Sequence, residues 1–389
     1  MPYSPAERDL LLLSAGTAAR RERLRQRVGL PALVAVEWPS FTETLRARRL
    51  LTTLGPRILE LAGDSANEDF AAAVQAELEA GRRQAALLQL VAAQANAALS
   101  AAGIRSAPLK GPQLSEAIHG DAGARLSGDI DLLVAPEQLG DAVAAVRQLG
   151  YEAPEDPVEP NGLPQLHFAM LHGRGEMPPV ELHWRIHWYE ARFAQQRLLP
   201  PTLAAQDGWR PQRADELIAL LLFYARDGFL DLRLPADLSA WWDSFGEELE
   251  AAELLARLAA YPELGPAVRG ALRVSEVVAG LPDALLAGAA PLRSRERVAA
   301  RLAYPNPRST RAQLYADIGL IDGLLSPPGS LGAFVRRQVL PSQDVLEQQA
   351  RHGSRPKRRS SFGRGAGILA RYGLAMTRLL RSSETLSPS

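Results

Sequence analysis

Apolar residues recur at helical spacing in the first quarter of the chain. Residues 71–99 contain no proline and are rich in Ala, Gln, Glu and Leu. Apolar positions three, four and seven residues apart share one face of an α-helix, so this pattern predicts an amphipathic helix. We expect the helix to pack on a central sheet through an apolar stripe formed by Leu78, Leu87, Leu88, Leu90 and Val91.

The periodicity changes twice along the rest of the chain. Strand-like alternation mixes with short helices in the second part, and helical patterns return in the third. Three aromatic residues at helical spacing in the third part, Trp241, Trp242 and Phe245, favour core packing over a platform for stacking bases. These changes predict an N-terminal helical region (1–97), a mixed αβ core (98–190), a C-terminal helical domain (191–350) and a basic tail with a short amphipathic helix (351–389).

Two carboxylates alternate with apolar residues in the segment that follows Gly128. Successive side chains of a strand point to opposite faces, so Asp129 and Asp131 are predicted to project together. The opposite face is predicted to enter the core through Ile130, Leu132 and Val134. Close carboxylates repel each other unless a divalent cation lies between them. The segment therefore predicts a Mg²⁺ site whose coordination shell a phosphate can complete.

A second alternating segment, residues 180–186, places an acid in the middle of its polar face. That acid is Glu181, and the preceding residues 167–176 have the pattern of a partner strand and a hairpin loop. His183 and His187 have the four-residue spacing of a helical metal pair. Because their context is strand-like, we predict an ordinary half-buried role for both histidines.

A strand, a tight turn and a helix are predicted around residues 107–112, which have the sequence APLKGP. Backbone amides at the start of a helix suit phosphate oxygens. The turn carries Lys110, and the only other lysine among 44 Lys and Arg residues is Lys357. A lysine at such a junction indicates that a compact point charge is needed there, for example to contact a triphosphate.

The order of these motifs resembles the uncharacterised nucleotidyltransferase family of the polymerase-beta-like superfamily. The shared features are Leu-Lys-Gly, a short helix, Arg-x-Ser-Gly-Asp-Ile-Asp-Leu-Leu-Val, an amphipathic helix and Val-Glu-Leu-His-Trp-Arg. The resemblance covers residues 98–190, with a fainter match through residues 237–242. It implies an α+β fold, in which a small mixed β-sheet nucleotidyltransferase core is flanked by N- and C-terminal helical regions.

The same resemblance implies a site and a reaction. Asp129, Asp131 and Glu181 would be the catalytic carboxylates and would hold two Mg²⁺ or Mn²⁺ ions. The reaction would transfer an NMP from a nucleoside triphosphate to an acceptor and release pyrophosphate. Nucleotide contacts would come from Lys110, Gly111, Arg125 and Ser127. Pro112 stands where the wider superfamily has serine or glycine, so no hydroxyl contact to phosphate is expected there.

Composition and charge bear on the chemical class of the acceptor and on the cellular compartment. The formal net charge is zero, which favours a small molecule, a peptide or a protein as the unidentified acceptor. The absence of cysteine excludes disulfides and thiolate metal sites. No apolar stretch approaches the roughly 20 residues of a transmembrane helix, so we expect a cytoplasmic protein without a transmembrane segment.

The C-terminal tail keeps two alternative functions open. Residues 351–389 carry nine Lys and Arg residues against the single acid Glu384. RNA or an acidic surface could therefore contact the tail, although simple docking on the protein's own helices is favoured. The first alternative is an RNA-directed nucleotidyltransferase of the tRNA-modifying, toxin-like kind. The second is a catalytically inactive module that binds a nucleotide or a partner, against which the three acids argue.

Overall fold

The structure is a computed structural model. It describes residues 4–28, 36–152, 168–187, 189–190, 192–202, 209–287, 291–302 and 311–334, and the single residues 370, 373, 374 and 377. Most of the predicted basic tail (351–389), including most of its amphipathic helix, therefore lies outside the described residues. Within the described part, no helix combines the length and apolar character needed to cross a membrane. The cytoplasmic location stays a prediction.

Helices dominate the described chain, and four short strands lie in its middle. The α-helices are α1 Pro5–Ser14, α2 Ala18–Val28, α3 Trp38–Ala47, α4 Leu51–Ala62, α5 Glu68–Ala101, α6 Pro112–His119, α7 Leu139–Arg147, α8 Arg213–Arg226, α9 Arg233–Phe245, α10 Ala251–Ala260, α11 Gly265–Ala279, α12 Ala284–Ala287, α13 Ser294–Leu302 and α14 Arg311–Leu325. A π-helical turn spans Ala194–Leu198. The strands are β1 Ser106–Pro108, β2 Ile130–Val134, β3 Phe168–Leu171 and β4 Val180–His183.

The four strands form one mixed sheet in the order β1-β2-β4-β3. β1 pairs with β2 in the antiparallel direction, and β3 pairs with β4 in the same way. The central pair, β2 and β4, is parallel, and its register places Asp131 opposite Glu181. The predicted α+β fold, with a small mixed sheet between helical regions, is confirmed.

Each face of the sheet packs against a different set of helices. Residues of alternating register, Ile130, Leu132 and Val134, enter a hydrophobic cluster with α5 and α7. On the other face, Leu133 belongs to a second cluster that includes α6, α8, α9 and α11. Period-two alternation in β2 therefore predicts correctly which of its apolar residues share a face. Asp131 lies on the face of Leu133, towards the C-terminal helices.

Helix α5 joins the N-terminal helices to the sheet. Its first turns pack with α1, α3 and α4 through Phe70 and Val74, and its later turns pack on the sheet through Leu88 and Val91. The predicted stripe is wrong at three positions, because Leu87 and Leu90 are 40% and 58% exposed and Leu78 packs with the N-terminal helices. The helix also continues past residue 97 to residue 101. The four-region division remains a prediction.

Two glycines allow α5 to touch the loop that precedes β2. A Cβ atom on Gly81 would lie 2.5 Å from the carbonyl oxygen of Gly123. A Cβ atom on Gly123 would lie 2.4 Å from the backbone nitrogen of Arg82. Both close atoms belong to the backbone, which cannot rotate away. This backbone contact fixes the distance between the loop and α5. The same loop leads directly to Arg125 and β2.

We expect Gly81→Ala to destabilise the protein, although alanine favours a helix by about 1 kcal/mol. The overlap with the carbonyl oxygen should outweigh that gain and cost about 1–3 kcal/mol, as overpacked sites do. Urea denaturation followed by circular dichroism would measure the change. The control is Gly140→Ala in α7, where the added methyl group meets open space and should stabilise. Equal stabilisation by both variants would contradict the close contact.

Candidate functional site

Asp131 and Glu181 form the centre of the site because the parallel register of β2 and β4 places them side by side. Both side chains are buried, with residue exposures of 3% and 8%. His183 follows Glu181 on the same face of β4, since residues two apart in a strand share a face. One ligand atom from each of the three residues lies within 4.8 Å of the other two. The group has the chemistry of a divalent metal site.

His183 connects the two carboxylates. Its Nε2 atom lies 2.8 Å from Oδ1 of Asp131 and 3.2 Å from Oε2 of Glu181. The prediction of an ordinary half-buried role is wrong, because His183 is fully buried inside the acidic group. His187 is buried as well, but it pairs with Asp322 at 2.7 Å. The informative spacing is the two-residue step from Glu181 to His183, which places both side chains on one face of a strand.

Lys110 approaches Asp131 from the turn between β1 and α6. Its Nζ atom lies 3.3 Å from Oδ2 of Asp131. Burial raises the pKa of Asp131, but the charge of Lys110 and the hydrogen bond with His183 outweigh it and hold that pKa below its usual range. Gly111 permits the turn, because its φ of 117° is strained for any other residue. The predicted strand, turn and helix are therefore present, with Lys110 on a carboxylate.

Asp129 lies in the bend before β2 and is only partly buried. Burial, followed by the negative charge of Asp131, raises the pKa of Asp129. The charges of Asp131, Lys110 and Glu181 all act on it, so it borders the acidic group. It does not belong to the three-residue set of possible metal ligands found among the described residues. Asp129 lies one residue before β2 begins, and its role as a metal ligand stays a prediction.

Arg125 is held by a buried carboxylate from the C-terminal helices. Its Nε donates to Oδ2 of Asp237 at 2.7 Å, and its Nη1 donates to Oγ of Ser127 at 3.0 Å. The other oxygen of Asp237 lies 2.9 Å from Nε2 of His119. Burial raises the pKa of Asp237, but Arg125 and His119 outweigh it and hold the pKa below its usual value. Arg125 thus contacts Ser127 and is anchored on α9 through Asp237.

A second cation, Arg226, lies beside the acidic group, and no sequence motif marks it. Arg226, at the end of α8, acts on Asp131 electrostatically and contributes to its low pKa. The guanidinium carbon lies 4.8 Å from the ring centroid of Phe223, and Nζ of Lys110 lies 5.1 Å from the same centroid. Within the described part of the chain, Nη1 of Arg226 is buried without a hydrogen-bond partner. Only the fold brings this residue to β2.

A comparison with protein-family models finds one that matches residues 35–279, more than half of the 389-residue chain. Its description is uncharacterised nucleotidyltransferase. The matched range extends on both sides of the segment that carries the sequence motifs and includes Asp237. A search of curated proteins and a search of solved structures found no match.

We expect Asp237→Asn to lower the free energy of unfolding by about 3–5 kcal/mol, because it leaves the buried Arg125 without its counter-charge. Chemical denaturation monitored by tryptophan fluorescence would measure the change. Asp9→Asn is the control, since Asp9 is exposed on α1. If the two variants had the same stability, Asp237 would not anchor the loop.

Proposed function

The chain belongs to the uncharacterised nucleotidyltransferase family, and we propose that it transfers an NMP from a nucleoside triphosphate to an acceptor in a reaction that needs Mg²⁺ or Mn²⁺ and releases pyrophosphate. The observation that carries this proposal is the buried pairing of Asp131 with Glu181 across two parallel strands, with His183 between them.

The donor set fits a divalent cation. Carboxylate oxygens from Asp131 and Glu181 suit Mg²⁺, and the imidazole of His183 adds a ligand that Mn²⁺ accepts. Asp129 supplies a further carboxylate at the border, as the family resemblance implies for a second ion. When bound, the cation would act as a Lewis acid on phosphate oxygens and neutralise their charge. His183 either ligates through Nε2 or keeps its hydrogen bond and orients Asp131.

Cations of the protein would bind the triphosphate. Lys110 and Arg226 lie beside the acidic group, and both have donors that suit phosphate oxygens. Arg125 is fixed by Asp237 and Ser127, so it would present its charge from a set position. Gly111 leaves the backbone of the turn open, since nothing lies within 4 Å of the place of a Cβ atom. These residues would neutralise charge that spreads over the phosphates during transfer.

The transfer itself is an in-line displacement. An acceptor hydroxyl or amine attacks the α-phosphorus, the bond to the bridging oxygen of the β-phosphate breaks, and pyrophosphate leaves with the electron pair. The acceptor's proton goes to a carboxylate of the site. We assign this step to Glu181, in keeping with the family resemblance.

Burial of the acidic group supports a small molecule, or a peptide or protein side chain, as the acceptor. Asp131, Glu181 and His183 are each less than 9% exposed. An RNA end would have to reach the same depth, and the basic tail that suggested RNA contact lies largely outside the described residues. A catalytically inactive binding module has less support, because such a module does not need three potential metal ligands with Lys110 and Arg226 beside them.

We expect wild-type protein to bind at least one of ATP, GTP, CTP and UTP in a Mg²⁺-dependent manner, and Asp131→Asn to lose that binding and all transfer. Isothermal titration calorimetry with each nucleotide, with and without Mg²⁺, would test this without an acceptor. Asp9→Asn is the matched control on an exposed position. Undiminished binding or transfer in folded Asp131→Asn would refute the proposed site.

We expect Arg226→Met to weaken nucleotide binding by roughly 10-fold or more, since a hydrogen bond to a charged group contributes about 1.5–3 kcal/mol. The same titration with Mg²⁺ would measure the loss. Arg233→Met is the control, because the half-buried Arg233 already pairs with Asp231 beside it. Equal affinities of the two variants would remove Arg226 from the nucleotide site.

A further inference from the structure

A cavity lies on the side of α6 and α9 that faces the N-terminal helices. Its volume is about 470 Å³, which falls in the range of small-ligand sites. Its walls come from α2, α4, α5, α6 and α9, and from residues 121–124. Neither the acidic group nor Lys110 or Arg226 lines it. The cavity is therefore separate from the candidate metal site.

Arg57 is the cation in this cavity that lacks a counter-charge. Its Nη1 donates to the carbonyl oxygen of Ser14 and to Oγ of Ser239, both at 3.0 Å. No carboxylate of the described residues lies within ion-pair distance of Arg57. Burial, followed by the charge of Arg21, lowers the pKa of Arg57 to about 10 against the opposing charges of Asp243, Asp237 and Glu60, so the side chain stays charged at neutral pH. A partly buried cation whose direct hydrogen-bond partners are neutral is costly.

The other charges of the cavity are already matched. Arg82 binds Asp121 at 2.7 Å, and Arg21 lies 3.6 Å from Asp243. These pairs leave the cavity with one positive charge in excess, on Arg57. The cavity is therefore electrostatically suited to an anion without the help of a metal.

A hydroxyl group supplies an independent observation. Thr52 lines the cavity and is fully buried. Its Oγ1 atom has no hydrogen-bond partner in the described part of the chain. Buried hydroxyl groups are nearly always hydrogen-bonded, so the hydroxyl of this lining residue is a donor available to a ligand.

We propose that this cavity is a binding site for a phosphate group, either free phosphate or the phosphoryl end of a small phosphomonoester. Arg57 anchors the anion, because its guanidinium presents several donors to tetrahedral oxygens. Thr52 donates its hydroxyl to one of those oxygens. The remaining volume accommodates the organic part of a monoester. Phosphate fits better than a carboxylate, since it has more oxygens with which to accept hydrogen bonds from Arg57 and Thr52, which both lie on α4.

The cavity is connected to the nucleotide site by hydrogen bonds. His119 lines the cavity and contacts Asp237, which in turn holds Arg125. Because phosphate could also bind at the nucleotide site, a test must separate the two places. Variants of Arg57 and Thr52 report on the cavity, whereas Arg226→Met reports on the nucleotide site.

The experiment is a titration of the full-length protein with inorganic phosphate in the absence of divalent metal, followed by calorimetry and thermal unfolding. We expect wild-type protein and Arg226→Met to bind phosphate with equal affinity, and Arg57→Met to bind it at least 10-fold more weakly. Arg233→Met is the control for loss of an arginine. Succinate is the comparison anion and should bind at least 10-fold more weakly than phosphate.

Thr52→Val keeps the proposal testable if Arg57→Met fails to fold. The valine has the shape of threonine and lacks the orphan hydroxyl, so the phosphate-free variant should melt at or above the wild-type temperature. We expect its phosphate affinity to fall several-fold. Unchanged affinity in folded Thr52→Val and Arg57→Met would overturn the proposal. Loss of binding only in Arg226→Met would place phosphate at the nucleotide site, and preference for succinate would exclude a phosphate site.

Discussion

The parallel register of β2 and β4 is the constraint on which the site depends. It sets Asp131 beside Glu181 in a buried environment, where two carboxylates repel each other strongly. His183 between them and Lys110 on the far oxygen of Asp131 offset that repulsion. The turn with Gly111 and the start of α6 serve the same charge balance, because they place Lys110 beside Asp131 at the end of the sheet.

The C-terminal helices complete the site from the other side. Asp237 on α9 holds the loop of Arg125, and α8 supplies Phe223 and Arg226 next to the acidic group. The sheet and these helices also share one hydrophobic cluster. This shared construction explains why the matched family range runs well beyond the strands that carry the motifs.

Local patterns in the sequence were enough to predict the parts of the site that lie on single elements. Period-two alternation located Asp131 and Glu181, and the strand, turn and helix located Lys110. His183 was missed because its spacing to His187 was compared with a helix, although its spacing to Glu181 fits the strand. Arg226 reaches the site only through packing between distant segments, which no local pattern encodes. Asp237 begins the fainter family match of residues 237–242, but its contact with Arg125 also depends on long-range packing. Leu87 and Leu90 were misassigned because the helix buries a narrower stripe than its apolar residues suggest.

Charge balance distinguishes the two anion sites. At the sheet, Asp129, Asp131 and Glu181 face the cations Lys110 and Arg226. The charge of Arg125 is matched by Asp237, and Arg226 also pairs with Asp227 at 3.2 Å. A triphosphate would meet negative charge there, so its binding requires further positive charge, which a divalent cation supplies. The cavity of Arg57 has the opposite balance, because its aspartates are already paired and one cation is left over. An anion can therefore enter that cavity alone, whereas the sheet site needs nucleotide and metal together.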